Sequence, residues 1–146
     1  MDKKKQYDIS ARVYDSRYSE IQKEKYAFFL KNIELKEPIL DLGCGSGLLQ
    51  EFLGQKVKLF GCDFSEKMLE IARKRGEIAK LCDLNKKFPY KNDFFNIILS
   101  FTVLQNVEQQ ENFLKEAKRI LKLKGIFILT TLKKTTKEKQ IIKLIE

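Results

Sequence analysis

The run Ile39-Leu40-Asp41-Leu42-Gly43-Cys44-Gly45-Ser46-Gly47 constrains this chain more than any other stretch. Apolar residues end in an acid, glycines alternate at 43, 45 and 47, and an apolar pattern at helical spacing follows. A strand buried on both faces of a parallel sheet reads as a continuous hydrophobic run. Alternate glycines let the backbone turn tightly and let another molecule approach it closely. A helix that starts at the turn aims its free N–H groups at whatever binds there. The run therefore predicts the first strand of an open α/β sheet, with a nucleotide-type ligand at its carboxyl end. A tight strand-to-helix turn that binds nothing is the competing reading.

Glycine spacing narrows the ligand. A dinucleotide fingerprint needs G-x-G-x-x-G, but the sixth position is Leu48 counted from Gly43 and Gln50 counted from Gly45. A P-loop closes on Gly-Lys-Ser/Thr, and no such triplet is present. What remains is D-x-G-x-G-x-G directly after a strand. Val57 to Cys62 reads as a second strand, and it ends at Asp63, twenty-two residues after Asp41. An acid about twenty residues on, at the end of the second strand, is placed to accept hydrogen bonds from ribose hydroxyls. Both oxygens of an ionised carboxylate accept, which suits a vicinal diol.

The rest of the chain supplies further alternating elements. Residues 6 to 32 carry apolar side chains at roughly helical spacing, with a break near Ser16 to Ser19. Ser46 to Leu53 predicts a helix stopped by Gly54, and Ser65 is a good N-cap for a helix running through Met68. Glu77 to Cys82 predicts a third strand, Asp93 to Ser100 a fourth and Ile126 to Thr131 a fifth. Between the last two, Phe113, Leu114, Ala117, Ile120 and Leu121 mark one face of an amphipathic helix. Thr135 to Glu138 offers a capping-box start to a final helix carrying Ile141, Ile142, Leu144 and Ile145.

These elements, in this order, resemble the small class I S-adenosylmethionine-dependent methyltransferases that carry D-x-G-x-G-x-G. Tyr7-Asp8-Ile9-Ser10-Ala11-Arg12-Val13-Tyr14-Asp15 is similar to the family's Y-D-x-x-A-x-x-Y-D helix, and Leu121-Lys122-Leu123-Lys124-Gly125 to its L-K-P-G-G turn, with the Pro and one Gly lost. The resemblance implies a doubly wound, mostly parallel Rossmann-like sheet with helices on both faces, and S-adenosylmethionine as cofactor. It places Asp41, Gly43, Cys44, Gly45 and Gly47 around the cofactor's amino-acid end. Asp63 would lie on ribose, with Phe64 and Met68 beside it in the segment that follows. Asp83 and Leu84 fall at adenine, and Ser100 and Phe101 flank the sulfur side. Tyr14, with Tyr18 second, would cap the pocket, although packing of those tyrosines on the sheet is an equal alternative. The family usually has an acid at the position of Asn96, and many members active on small molecules carry His at those of Gln105 or Asn106. No histidine is present, so no imidazole base is available and no catalytic residue is named.

Composition bounds the rest. A length of 146 residues predicts one domain, 1–146, with a helical cap over 1–37, the core over 38–132 and a basic C-terminal helix over 133–146. No apolar run approaches a membrane span, and the charged N-terminus lacks an apolar segment behind it, so a cytoplasmic protein that avoids membranes is expected. Cys44, Cys62 and Cys82 are odd in number and widely spaced, which argues against a disulfide framework and a zinc site. Residues 115–146 hold ten Lys/Arg against three Asp/Glu, a bias that attracts RNA or simply solvates a surface. The family fold has seven strands and this chain supplies five, so strand five is expected to be an edge without the family's C-terminal hairpin. The expected function is methyl transfer to a small-molecule, protein or tRNA acceptor. Two alternatives stand beside it: an RNA-modifying subunit with an activating or sheet-completing partner or a second copy, and a non-catalytic S-adenosylmethionine-binding subunit.

Overall fold

The computed structural model describes residues 19–132 and 139–145, with side chains described from 19 to 131. Residues 19–30 form helix α1. There follow β1 (Ile39–Leu42), α2 (Leu48–Leu53), β2 (Leu59–Asp63), α3 (Glu66–Lys74), β3 (Ile78–Leu81), β4 (Phe95–Phe101), α4 (Gln110–Ile120), β5 (Leu121–Leu132) and β6 (Lys139–Ile145). The sheet order is β3-β2-β1-β4-β5-β6, with β1 to β5 parallel and β6 antiparallel to β5. The chain reverses direction of winding at β1, so the carboxyl ends of β1 and β4 part there and leave the crevice in which ligands of such sheets bind.

Each sheet face has its own packing. On one, Ile39, Leu59, Ile97, Leu99, Phe101 and Ile128 pack with Tyr26 and Leu30 of α1 and Leu48 and Leu49 of α2. On the other, Leu40, Leu42, Cys62, Ile98, Phe127 and Leu129 meet Phe113, Ala117 and Ile120 of α4. All four β1 residues are buried, which is why the central strand reads as an unbroken run in which even the acid is enclosed. Ser65 caps α3 as expected, its Oγ accepting from the Met68 N–H at 3.3 Å. Asn96 donates from Nδ2 to the Glu37 carbonyl at 2.8 Å and pins the start of β1; a carboxylate at this position could not donate that bond.

Three expectations are corrected. Residues 139–145 are not helical: they form β6, paired with β5 from Leu132↔Lys139 to Ile126↔Ile145. Strand five is therefore not an edge. The segment Lys139-Gln140-Ile141-Ile142-Lys143-Leu144-Ile145 is rich in β-branched residues, and the open rim of β5 satisfies its backbone where a helix would leave that rim bare. The capping-box residues Thr135 to Glu138 lie outside the described residues. Strand five also begins earlier than expected, at Leu121. Its register against β4 jumps from Phe95↔Leu121 to Ile97↔Ile126, so residues 122–125, the last four of the segment similar to L-K-P-G-G, loop out as a bulge with Lys124 at φ 68°. Among the described residues no helix is long and apolar enough to cross a membrane.

Candidate functional site

The glycine turn follows β1 and feeds α2. Gly43, Gly45 and Gly47 have φ of 80°, 54° and 81°, a region that disfavours a side chain. Space agrees with conformation. A Cβ on Gly43 would stand 2.6 Å from a Val103 methyl, and one on Gly47 would stand 2.8 Å from the Ala72 Cα. The turn is held from below by β2, whose Cys62 carbonyl accepts the N–H groups of both Gly43 and Cys44 at 2.9 Å.

Asp63 ends β2 beside this turn and is 5 % exposed. Its Oδ2 accepts from the Gly45 N–H at 2.9 Å and its Oδ1 from the Ser65 N–H at 3.2 Å. One carboxylate thus fixes the glycine turn and the entry to α3 together. An ionised carboxylate offers about four acceptor positions, so such a group can serve more than two donors.

Asp41 is buried at the end of β1, and its Oδ2 has no hydrogen-bond partner among the described residues. Burial first, and the Asp63 charge after it, push its carboxyl up to about 7, against the opposing effect of a hydrogen bond with Glu77. Ser100, at the end of β4, is fully buried with its Oγ likewise unpartnered. A buried polar atom without a partner costs about 1–3 kcal/mol. An ammonium or hydroxyl group entering the crevice would relieve that cost, so these residues fit a polar adenosyl cofactor.

Of the other expected positions, Phe64, Asp83, Leu84 and Phe101 fall at or just beyond the carboxyl ends of strands. Phe64 follows β2 half-buried, and Met68 is enclosed in the first turn of α3. Asp83 is exposed beyond β3 with Oδ1 accepting from the Asn85 N–H at 2.9 Å, next to buried Leu84. Phe101 is buried at the end of β4, edge-on to Tyr26 at 5.0 Å between centroids. Tyr14 and Tyr18 lie outside the described residues. Burial pushes the Cys44 and Cys62 thiols up, so both stay protonated.

The structure also brings in residues that the sequence did not single out. Arg75 donates from Nη1 to the Ser46 carbonyl at 2.9 Å and its Nε lies 3.0 Å from Glu51, bracing α2 against α3. Gln105, at a position where many relatives of the resembled kind carry His, is committed to structure. Its Nε2 donates to the Thr102 carbonyl at 2.7 Å and its Oε1 accepts from the Thr131 hydroxyl at 3.0 Å. Glu77 is buried beside Asp41, with neither carboxyl oxygen hydrogen-bonded to a donor among the described residues. The signal for Glu77 was Gly61, since a glycine inside a strand often marks the close approach of another group.

The family model described as methyltransferase domain matches residues 40–129. The chain is 37% identical over 120 residues to a ubiquinone biosynthesis O-methyltransferase of Pelagibacter ubique, covering 74% of this chain and 45% of that protein. It is 27% identical over 117 residues to a probable tRNA methyltransferase 9B of Homo sapiens, covering 76% and 25%. Its fold is similar to that of an S-adenosylmethionine-dependent methyltransferase of Thermotoga maritima, described as a possible histamine N-methyltransferase. The TM-score is 0.76 at 27% identity, covering 88% of this chain and 61% of that one. The chain spans half or less of the length of these two curated relatives.

Proposed function

This chain belongs to the methyltransferase-domain family, and on that footing we propose that it takes S-adenosylmethionine as methyl donor and passes the methyl group to an acceptor by in-line displacement. The observation that carries the reading is the Asp63 carboxylate, locked to the Gly45 and Ser65 N–H groups at 2.9 and 3.2 Å beside three glycines of positive φ. That arrangement presents a fixed diol acceptor next to bare backbone.

In this reading Asp63 holds the ribose, and Asp41 with Gly43, Cys44, Gly45 and Gly47 takes the amino-acid end. Asp83 and Leu84 border the adenine, and Ser100 and Phe101 lie on the sulfur side. Phe64 and Met68 support the ribose side, and Tyr14 with Tyr18 caps the pocket. When bound, the cofactor supplies the electrophilic methyl group. The protein's part is to orient, and orientation alone supplies a large share of acceleration in such a displacement. With no histidine in these 146 residues, none of them supplies an imidazole base.

Calorimetric titration with S-adenosylmethionine, S-adenosylhomocysteine and NAD tests the reading. Binding of the two adenosyl ligands but not NAD, lost in Asp63→Ala, supports it. Binding of NAD alone, or of none of the three, refutes it.

A tRNA acceptor is a second reading, favoured by the likeness to a tRNA methyltransferase and by the Lys/Arg excess of residues 115–146. With β6 beside β5, an activating partner or a second copy would add a strand along β3, where Ile78 and Leu81 are 46% and 49% exposed. Retention of total tRNA at low salt, weakening steeply as salt rises, supports the tRNA reading; no retention at low salt removes it. Cofactor binding without methyl transfer to any acceptor pool would point instead to a non-catalytic subunit.

A further inference from the structure

Glu77 is a buried acid that the proposed cofactor contacts leave without a task. It stands just before β3 and is 3 % exposed. Its side chain runs along β2 over Gly61: a Cβ on Gly61 would collide with Glu77 Oε2, and one on Gly47 would lie 3.2 Å from Oε1. The Glu77 carboxyl therefore occupies the space that two missing side chains open between β2 and the glycine turn. There it stands beside Asp41, which pairs with Gly61 in the β1–β2 register, and the two carboxyls interact directly. Both Glu77 oxygens and Asp41 Oδ2 have no donor group among the described residues. Two enclosed carboxyls in contact can be bridged only by a proton that one of them carries.

The surroundings favour that shared proton. Asp41 faces Glu77 from β1 and Asp63 from β2, and each disfavours a second negative charge; the Cys62 and Cys44 thiols, also close by, stay protonated and offer no compensating positive charge. From α3 the neighbour is apolar Ala72, which contacts the same glycine turn. The Arg75 guanidinium beyond α3 is directed at Ser46 and Glu51. Burial, more than any neighbouring charge, holds the Glu77 carboxyl well above the usual carboxylate range.

We propose that Glu77 is a positioning residue for the ammonium end of the cofactor: in the free protein it shares a proton with Asp41, and the pair gives up that proton when a ligand ammonium group settles beside Asp41. The proposal rests on the cofactor reading above. The O–H bond of the shared proton breaks, the proton passes to solvent, and the new carboxylate charge is balanced by the ammonium. An opposite charge within about 4–6 Å favours the ionised carboxyl. By linkage, ligand affinity then rises with pH wherever the free pair is protonated and the complex is not, by roughly tenfold per pH unit for one released proton.

The test is calorimetric titration with S-adenosylhomocysteine between pH 5.5 and 7.0, in pairs of buffers that differ in ionisation enthalpy. This ligand has the amino-acid end without the sulfonium charge, and an α-amino group stays protonated below about pH 7.7. The expected result is release of about one proton per ligand at the lower pH values, with affinity rising with pH. Glu77→Gln is expected to bind without release and with pH-independent affinity, because the amide donates to Asp41 and keeps it ionised. Binding by the native chain with no proton release overturns the proposal and leaves the cofactor reading intact. Equal release on binding adenosine, which has no ammonium, overturns it as well. Failure to bind at every pH overturns the cofactor reading and this proposal with it. Should Glu77→Gln not fold, the proton count of the native chain decides alone.

Discussion

Replacing Asp63 tests the architecture of the site most directly, because one carboxylate is asked to do two things at once. Its oxygens accept from the Gly45 and Ser65 N–H groups at 2.9 and 3.2 Å, and the proposed function asks them to hold the ribose diol as well. Hydrogen bonds to a charged acceptor contribute about 1.5–3 kcal/mol each. Loss of two such bonds to a ribose diol in Asp63→Ala amounts to roughly 3–6 kcal/mol, a loss of about 10²- to 10⁴-fold in affinity. Asp63→Asn keeps one acceptor oxygen, but its amide NH₂ must face either a backbone N–H or the diol, so an intermediate loss of roughly 10- to 100-fold is expected. The assay is titration with S-adenosylhomocysteine, run beside urea denaturation of each variant. Stability should fall in the same order, since the alanine leaves two enclosed N–H groups without their acceptor. A folded Asp63→Asn chain that binds within threefold of the native affinity would refute the assignment of this carboxylate to the diol.

Four further outcomes rest on other contacts of the same fold. Gln50 is fully buried and donates from Nε2 to the Gly54 and Val57 carbonyls at 2.9 and 2.7 Å while accepting from the Leu59 N–H at 3.0 Å, so Gln50→Leu should lower urea-unfolding stability by roughly 3 kcal/mol. Gly47→Ala forces a Cβ to within 2.8 Å of the Ala72 backbone at φ 81°, and should cost about 2–4 kcal/mol in stability along with cofactor affinity. Arg119 donates to the Phe88 and Tyr90 carbonyls at 3.0 and 2.9 Å while gripping Glu116 at 2.8 Å; Arg119→Lys cannot reproduce that fork, and hydrogen exchange of residues 88–92 should accelerate while the central strands stay protected. Stability should fall as pH rises from about 4 to 7. Asp41 and Glu77 sit above their unfolded values, so the folded state binds more protons; for Asp41 the rise from 3.8 to about 7 corresponds to up to roughly 4 kcal/mol, and a pH series of urea midpoints that stays flat would contradict it.

The glycine turn and the acid after the second strand were legible because each is a local demand. Positive φ at 43, 45 and 47 needs glycine, and a twenty-two-residue interval is what one strand-turn-helix-turn-strand unit consumes. The C-terminal strand was misread because its signal is not local. Apolar residues at 141, 142, 144 and 145 satisfy a helical stripe as well as a strand, and the unpaired rim of β5, unknown to the sequence, decides between them. Glu77 escaped for a related reason. Only the register Phe60↔Ile78, the absence of a side chain at Gly61 and the reach of a glutamate bring it to Asp41.

Those facts combine into one physical account of the crevice. Three carboxyl groups, Asp41, Asp63 and Glu77, gather around the carboxyl ends of β1 and β2, and burial first, then the neighbouring acids, hold Asp41 and Glu77 above the usual carboxylate range. Among the described residues, only Asp63 of the three is matched to backbone donors. The folded chain therefore stands at higher free energy than its packing alone requires, and the excess is located beside the glycine turn. Differential stabilisation by a ligand is largest where the empty site is least satisfied, since the entering group removes a penalty as well as adding a bond. A ligand with a hydroxyl pair for Asp63 and an ammonium group for Asp41 answers both needs, whereas a purely anionic nucleotide would bring further negative charge to the same enclosed acids. The glycines supply the access and the acids supply the discrimination, which is why D-x-G-x-G-x-G here carries more information than the glycine spacing alone.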